Sequence, residues 1–429
     1  MEQITLHRLS ADPSSIDEAA AQLLRGGIVA FPTETVYGLG VNASKQAAVE
    51  ALFQLKQRPS DHPLIIHVSG LADASCWARL NAQALQLIGA LWPGPLSLIL
   101  PRRAGIPMYA LAAQKTVALR CPSHPVARAL LGRFSALGGK GVAAPSANPY
   151  GKISPTDSSH VEADLQQMMQ AFASKRLRLS DPQLPYCCLI DGGESEAGIE
   201  STILDLSTDQ PRVLRPGAVS REQIESVLGM PVPLEKPQVD PAPQAKRLRG
   251  SAPKASGTQL SHYAPNKPLY LVDPVTQPEM LEQLQAQGVK QLAVWGIEED
   301  AFPASNFEQL ASFGRLPDSA QALAHVLYRT LRAMDQSDAQ ALLIALAAPA
   351  EVLSQDQAWE AVLDRLERAT FATKAGLLKP QTGTKADSAD ALQDTSAAAL
   401  QDTSADALQD TSADAMDFDM SFDDLGTPS

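Results

Sequence analysis

The alternation of short apolar runs with amphipathic segments most constrains the fold of this chain. Across residues 1–229, apolar runs typical of buried strands recur, for example at 28–31 and 63–68. Between them lie segments with helical spacing, such as 46–56, where apolar residues occupy positions 49, 52 and 53. Interleaved strands and helices predict an α/β domain over residues 1–229 with a mixed, twisted sheet and an open cleft at the strand ends.

A change in composition follows this first domain. Residues 230–265 are rich in proline and poor in apolar residues, which predicts a linker. Strand–helix alternation resumes over 266–378, with apolar runs at 269–272 and 292–295, and predicts a smaller Rossmann-like parallel α/β domain. No G-x-G-x-x-G fingerprint occurs there, so nucleotide binding is not predicted for the second domain.

The last segment, residues 379–429, repeats Ala-Leu-Gln-Asp-Thr-Ser-Ala with a period of eight residues. This period fits no coiled coil, and one leucine per repeat cannot build a core. We therefore expect a disordered acidic tail that the reaction does not need. Residues 381–429 contain eleven Asp and one Lys, so they carry −10 of the net charge of −13. The other residues carry only −3, which leaves room for a basic cleft.

Cysteine usage and hydropathy limit the class of protein further. Four cysteines form no C-x-x-C pattern, which predicts buried reduced thiols rather than a disulfide or a zinc site. No apolar run approaches the ~18 residues of a membrane span, and the N-terminal residues lack a signal-peptide core. We expect a cytoplasmic protein with no membrane contact.

Polar residues gather where predicted strands end. The predicted strand at 28–31 is followed by segment 32–40, which carries hydroxyl groups and glycines. The predicted helix at 46–56 ends at Lys56, and Arg58 follows it. Further strand-end loops contribute Arg120 and Arg215, with hydroxyl and amide groups near 146–148 and 201. Each motif alone also fits a tight turn or a surface ion pair. Together they suit a polyanion and a small zwitterion, with no nucleophile–base pair.

The order and spacing of six motifs resemble the YrdC family in its longer, two-domain form. The motifs are Pro32-Thr-Glu-Thr-Val-Tyr-Gly-Leu-Gly40, Lys56-Gln-Arg-Pro59, Trp92-Pro-Gly-Pro95, Ala144-Pro-Ser-Ala-Asn148, Glu200-Ser-Thr-Ile203 and Leu214-Arg-Pro-Gly217. Ser261-His-Tyr263 and Asp364-Arg-Leu-Glu-Arg368 are similar to the family's linker signature and last helix. The resemblance covers about residues 10–375.

This resemblance implies a nucleotidyltransferase, a threonylcarbamoyl-AMP synthase using L-threonine, bicarbonate or CO2, and ATP with Mg2+. The product would feed N6-threonylcarbamoyladenosine formation on tRNAs that read ANN codons, through downstream threonylcarbamoyl-transferase proteins. The implied threonine ligands are Thr33, His67, Arg120, Ser146 and Ser201. The implied ATP ligands are Lys56, Arg58, Ser60, Thr116, Asn148, Thr156 and Arg215. No metal ligand is expected among the protein side chains.

Other interpretations remain open at this point. His67, at a strand end, also fits a structural histidine. A module that binds double-stranded RNA or tRNA without turnover is the alternative function, and direct RNA contact is an expectation of either function. A hydrogenase-maturation type of factor is disfavoured because its acylphosphatase and zinc-finger segments are missing. We expect the linker to act as a lid over the cleft, with His262 and Tyr263 facing the ligands.

Overall fold

The computed structural model describes residues 5–175, 186–235, 255, 257, 259, 261–297, 307–376 and 378–380. The predicted tail from residue 381 onward lies outside the described residues. Most of the predicted linker, including 236–254, does so too. The last part of the linker, from 261, is described and joins the second domain.

A ten-stranded mixed sheet forms the frame of the first domain. In chain order its strands are β1 (Thr5–Leu9), β2 (Ile28–Phe31), β3 (Gly38–Asn42), β4 (Ile65–His67), β5 (Leu96–Pro101), β6 (Thr116–Arg120), β7 (Val142–Ala143), β8 (Tyr186–Ile190), β9 (Thr202–Asp205) and β10 (Arg212–Arg215). Their order across the sheet is β1-β8-β2-β3-β7-β4-β6-β5-β9-β10. The β4–β6 and β5–β9 pairs are parallel, whereas β2–β3 and β5–β6 are antiparallel. The predicted mixed sheet is confirmed.

The helices that cover this sheet are α1 (Pro13–Arg25), α2 (Gln46–Lys56), α3 (Leu71–Trp77), α4 (Ala82–Leu91), α5 (Pro125–Ala136), α6 (Ser158–Ser174) and α7 (Arg221–Leu228). Asp12 caps α1, because its carboxylate accepts the Ser14 and Ser15 backbone N–H groups. Ser220 and Gln223 form a capping box at the start of α7. Within the described part of the chain, no helix combines the length and the apolar character needed to cross a membrane.

The second domain has a parallel four-stranded sheet, as predicted, ordered β11-β14-β12-β13. Its elements are β11 (Leu269–Val272), α8 (Gln277–Ala286), β12 (Gln291–Trp295), β13 (Gln309–Ser312), α9 (Ala320–Gln336), β14 (Ala341–Ala345), α10 (Ala350–Leu353) and α11 (Glu360–Lys374). One face of α9 buries Leu323, Leu327 and Leu331 in a core that also takes in Val36 and Ile199 of the first domain. This shared core ties the two domains together.

Two sequence expectations need correction. The segment 32–40 is not loop throughout, since Gly38–Asn42 forms β3 between β2 and β7. A Cβ at Gly40 would lie 2.7 Å from Val142 Cγ1 and 2.8 Å from Phe31 Cε1, so this glycine allows close strand packing. Of the four cysteines, Cys76 is exposed; the other three are buried, and all are free thiols.

Candidate active site

A cavity lies where several strands of the large sheet end. The loop after β2 supplies Thr33, and the last residues of β4, β6 and β10 supply His67, Arg120 and Arg215. The end of α2 supplies Lys56. Because β2 runs antiparallel to β4, β6 and β10, these strands end at opposite edges of the sheet, and the cavity takes side chains from both. The topology therefore gathers residues that are far apart in sequence.

Most of the predicted ligands reach this cavity. All five predicted threonine ligands line it, as do four predicted ATP ligands and both linker residues: Thr33, His67, Arg120, Ser146, Ser201, Lys56, Arg58, Asn148, Arg215, His262 and Tyr263. Among the described residues that line the cavity, none belongs to the second domain.

Three predicted ATP ligands do not line the cavity. Ser60 is exposed in a turn. Thr156 is buried beside the start of α6, where its N–H donates to His160 Nδ1 at 3.4 Å. Thr116 begins β6, four residues before Arg120, and lines a second, narrow cavity that shares Ile65 with the first. Lying close to a motif in sequence did not determine where these three side chains point. Their contact with ATP stays a prediction.

One cation of the cavity, Arg120, lies against a carboxylate. Arg120 is buried, and its Nη2 lies 2.8 Å from Glu34 Oε1 without hydrogen-bond alignment. Glu34 Oε2 accepts the Ser123 backbone N–H at 3.1 Å, which fixes the carboxylate. Arg120 Nε and Nη2 are buried and lack hydrogen-bond partners. Arginine donors of this kind match a carboxylate in a two-bond fork.

His67 lies beside this arginine. Burial, with the nearby Arg120 charge, lowers the pKa of His67 to about 3, so the imidazole is neutral at neutral pH. Its Nδ1 atom is buried and has no hydrogen-bond partner. A structural histidine would have its buried nitrogens satisfied, so the unpartnered nitrogen favours a role in ligand binding.

Three further cations of the cavity are held by backbone carbonyl oxygens. Lys56 Nζ donates to the carbonyl of Ser146 at 2.6 Å and also to that of Asn148. Arg58 donates to the carbonyls of His62 at 3.3 Å and Pro63 at 3.0 Å, and Arg215 Nη2 donates to that of Ser201 at 2.8 Å. Burial, then the nearby Arg58 charge, lowers the pKa of Lys56 to about 7.

Sequence reasoning assigned no role to the carboxylate wall of the cavity. Glu200 lines the cavity and accepts hydrogen bonds from Ser154 Oγ at 2.6 Å, Tyr328 OH at 2.9 Å and Arg365 Nε at 2.8 Å. Burial alone would raise the pKa of Glu200, but Arg365, Arg215 and the Ser154 hydroxyl outweigh it and lower the pKa to about 2. The sequence did contain a signal for this role, because Glu200 lies inside the Glu200-Ser-Thr motif. A carboxylate buried there needs partners that satisfy its charge.

The fold and the cavity define an α/β protein with a cleft lined by four buried cationic side chains, those of Lys56, Arg58, Arg120 and Arg215. Residues 21–217 match the family described as Telomere recombination (Sua5, YciO and YrdC). Residues 219–370 match the threonylcarbamoyl-AMP synthase C-terminal domain. Together the two matches span both domains.

Known proteins that are similar over most of the chain agree with these matches. The threonylcarbamoyl-AMP synthase of Pyrococcus abyssi is 34% identical over 359 residues, which cover 82% of this chain and 93% of that protein. The Bacillus subtilis threonylcarbamoyl-AMP synthase is 36% identical over 334 residues, covering 77% and 87%. The structure of P. abyssi Sua5 complexed with L-threonine has a TM-score of 0.67 at 31% identity, covering 85% of this chain and 97% of that one.

The chain belongs to the threonylcarbamoyl-AMP synthase family, in the form that carries a Sua5 C-terminal domain. It is thus an enzyme of the nucleotidyltransferase type that acts in tRNA modification. The family resemblance expected from the six motifs is confirmed.

Proposed function

We propose that this chain joins L-threonine, bicarbonate or CO2, and ATP into L-threonylcarbamoyl-AMP and pyrophosphate. The observation that carries the proposal is that one cavity is lined by Arg120, whose Nε and Nη2 make no hydrogen bond, and also by Lys56, Arg58 and Arg215. Such a cavity suits an amino acid beside a polyphosphate. The likeness to a relative solved with L-threonine supports the amino-acid half of the proposal.

Threonine would bind at Arg120. Its carboxylate matches the Arg120 Nε and Nη2 donors, which make no hydrogen bond, and its amine and hydroxyl groups match nearby side chains. His67 Nδ1 is one such group, and the hydroxyls of Thr33 and Ser201 line the same cavity. Because His67 is neutral, it adds no positive charge that would repel the substrate amine.

ATP would place its phosphates against Lys56, Arg58 and Arg215. All three are buried, so their charges act in a medium that screens them weakly. The adjoining narrow pocket that shares Ile65 is lined by the apolar side chains of Ile99, Ala118 and Ile203. Thr116 lies in that second cavity, which supports its predicted contact with ATP.

The chemistry follows from this placement. The threonine amine adds to CO2 and loses a proton, giving a carbamate. A carbamate oxygen attacks the α-phosphorus of ATP, the bond to the bridging oxygen breaks, and pyrophosphate leaves. Lys56, Arg58 and Arg215 would stabilise the charge that develops on the leaving group. Positioning and charge stabilisation then carry the reaction, so no nucleophile–base pair is needed.

Mg2+ is proposed to enter as part of the ATP substrate. Across the described residues, no group of three His, Cys, Asp or Glu side chains could hold a metal ion. The cavity carboxylate, Glu200, is occupied by Ser154, Tyr328 and Arg365. The donor set therefore does not form a protein metal site, whereas ATP phosphates coordinate Mg2+ well.

A pyrophosphate-release assay on the purified chain tests this function. We expect release that requires threonine, bicarbonate and MgATP together, and that disappears when any one of them is omitted. Pyrophosphate release without threonine, or none with all three present, would contradict the proposal.

The product is proposed to supply N6-threonylcarbamoyladenosine formation on tRNAs that read ANN codons, in the cytoplasm, through downstream threonylcarbamoyl-transferase proteins. Direct RNA binding remains the alternative function. A protein that only bound RNA would show tRNA affinity that falls steeply with salt, with no pyrophosphate release. Titrating labelled tRNA at two salt concentrations beside the pyrophosphate assay separates the two.

A further inference from the structure

Two helices of the second domain reach the wall of the cavity without lining it. Arg365, in α11, has a fully buried side chain and donates from Nε to Glu200 Oε2 at 2.8 Å. Tyr328, in α9, donates its hydroxyl to the same oxygen at 2.9 Å. Glu200 immediately precedes Ser201, whose Oγ lies 2.8 Å from Ser97 Oγ. The second domain thus acts on the cavity through a first-domain carboxylate.

The same arginine packs against the end of the linker. Its guanidinium carbon lies 5.2 Å from the centre of the Tyr263 ring, and the Tyr328 ring stacks on Tyr263 at 5.6 Å. Tyr263 has a left-handed backbone with φ 61°, a conformation that L-residues adopt at a cost. The surrounding packing must therefore hold Tyr263 in place. Its buried hydroxyl has no hydrogen-bond partner and the residue lines the cavity.

One turn of α11 contacts both Glu200 at the cavity wall and the end of the linker. Asp364 Oδ2 accepts Arg365 Nη1 at 2.7 Å, and its Oδ1 accepts Arg368 Nη2 at 2.7 Å. Arg368 in turn donates to the carbonyl of Gln259, and its own carbonyl accepts the His262 N–H at 3.4 Å. The Asp364-to-Arg368 motif therefore fixes the cavity wall and the linker end together.

The charges around Glu200 make its orientation depend on Arg365. Groups from every packed element face it: Ser154, Arg215 and, from the second domain, Tyr328 and Arg365. Taking away one partner of a buried ion pair leaves an uncompensated charge, which drives rearrangement. A shift of Glu200 would move the Ser201 carbonyl that Arg215 binds at 2.8 Å.

We infer that Arg365 is a positioning residue for the reaction. Through Glu200 it fixes the Ser201 wall, and through Tyr263 it fixes the linker end, so that the cavity keeps the geometry that threonine needs. The second domain then contributes to the geometry of the site through Arg365. The inference rests on the proposed function, because the site it orients is the proposed threonine site.

The test compares three single variants in the full-length chain: Arg365→Lys, Tyr328→Phe and a control, Arg221→Gln. Arg221 pairs with Glu360 at 2.6 Å, so the control also breaks an ion pair between the domains but contacts neither Glu200 nor Tyr263. Threonine affinity is measured by titration calorimetry. KM and kcat come from pyrophosphate release, and melting temperature reports on folding.

For Arg365→Lys we expect threonine affinity to weaken by about tenfold and kcat to fall, because lysine cannot reproduce the guanidinium contacts. Tyr328→Phe should weaken threonine binding by about threefold with little change in melting temperature. The control should lower the melting temperature while threonine affinity, KM and kcat stay within about twofold of wild type.

Wild-type threonine affinity in folded Arg365→Lys would overturn the inference, as would equal losses in Arg221→Gln. If Arg365→Lys does not fold, Tyr328→Phe decides: unchanged threonine affinity there rejects the positioning role. If the wild-type chain releases no pyrophosphate, the proposed function fails, and the threonine titrations still decide the role of Arg365.

Discussion

Two of the buried cations in the cavity are held differently. The Arg120 guanidinium lies against the Glu34 carboxylate, so the pair is nearly neutral overall. Lys56 donates instead to two carbonyl oxygens, which carry no formal charge and so do not neutralise its ammonium group. The first arrangement selects a ligand by geometry, because a carboxylate must match the fork. The second attracts a ligand by charge, as a polyphosphate requires.

The largest expected effect comes from removing the fork. Arg120→Ala should weaken threonine binding by about 100-fold, since charged hydrogen bonds each contribute about 1.5–3 kcal/mol. Nucleotide binding should change little, because Lys56, Arg58 and Arg215 remain. Calorimetric titration of each ligand separately checks this. An equal loss for threonine and ATP would mean that the two binding roles are not distinct.

Removing the Lys56 charge should give the opposite pattern. Lys56→Ala should weaken MgATP binding by about 30-fold, which corresponds to about 2 kcal/mol, and leave threonine affinity within about twofold. The same paired titrations measure it. Arg25→Ala, at the end of α1, is a matched surface control for loss of one cation. Weaker threonine binding in Lys56→Ala would contradict the assignment.

A smaller effect is expected from pH. Because the pKa of Lys56 is lowered to about 7, its ammonium loses its proton as pH rises above that value. The ATP phosphates are already ionised there. MgATP affinity should therefore fall by about tenfold between pH 7 and 9 in wild type. In Lys56→Arg it should stay nearly constant, since a guanidinium keeps its charge. Parallel declines in both proteins would exclude Lys56 as the titrating group.

The smallest expected change is an increase in threonine affinity. Glu34→Gln removes the carboxylate that neutralises Arg120 but keeps an acceptor for the Ser123 N–H. The unliganded protein should melt at a lower temperature because a buried guanidinium loses its partner. Threonine should restore the charge balance and bind up to about threefold more tightly. Thermal shift with and without threonine measures both. Weaker threonine binding would mean that Glu34 chiefly orients Arg120.

Most of the strand-end chemistry could be predicted from the sequence, because strand ends and motif order are local features. Lys56 at the end of α2 and Arg120 at the end of β6 are examples. The packing role of Gly40 was not predicted. A Cβ there would clash with the side chain of Val142 on β7, which lies about a hundred residues away in sequence. The contacts of Arg365 with Glu200 and Tyr263 could not be predicted either. They depend on how two domains pack, and no periodicity or composition encodes that.

One measurement tests most directly whether a single cavity brings both substrates together. The chain is incubated with threonine, isotopically labelled bicarbonate and MgATP, and the adenylate products are analysed by mass spectrometry. We expect a threonyl-containing adenylate that carries the labelled carbon, formed in step with pyrophosphate. Pyrophosphate with only AMP and no labelled adenylate, under conditions where authentic threonylcarbamoyl-AMP survives, would contradict this expectation.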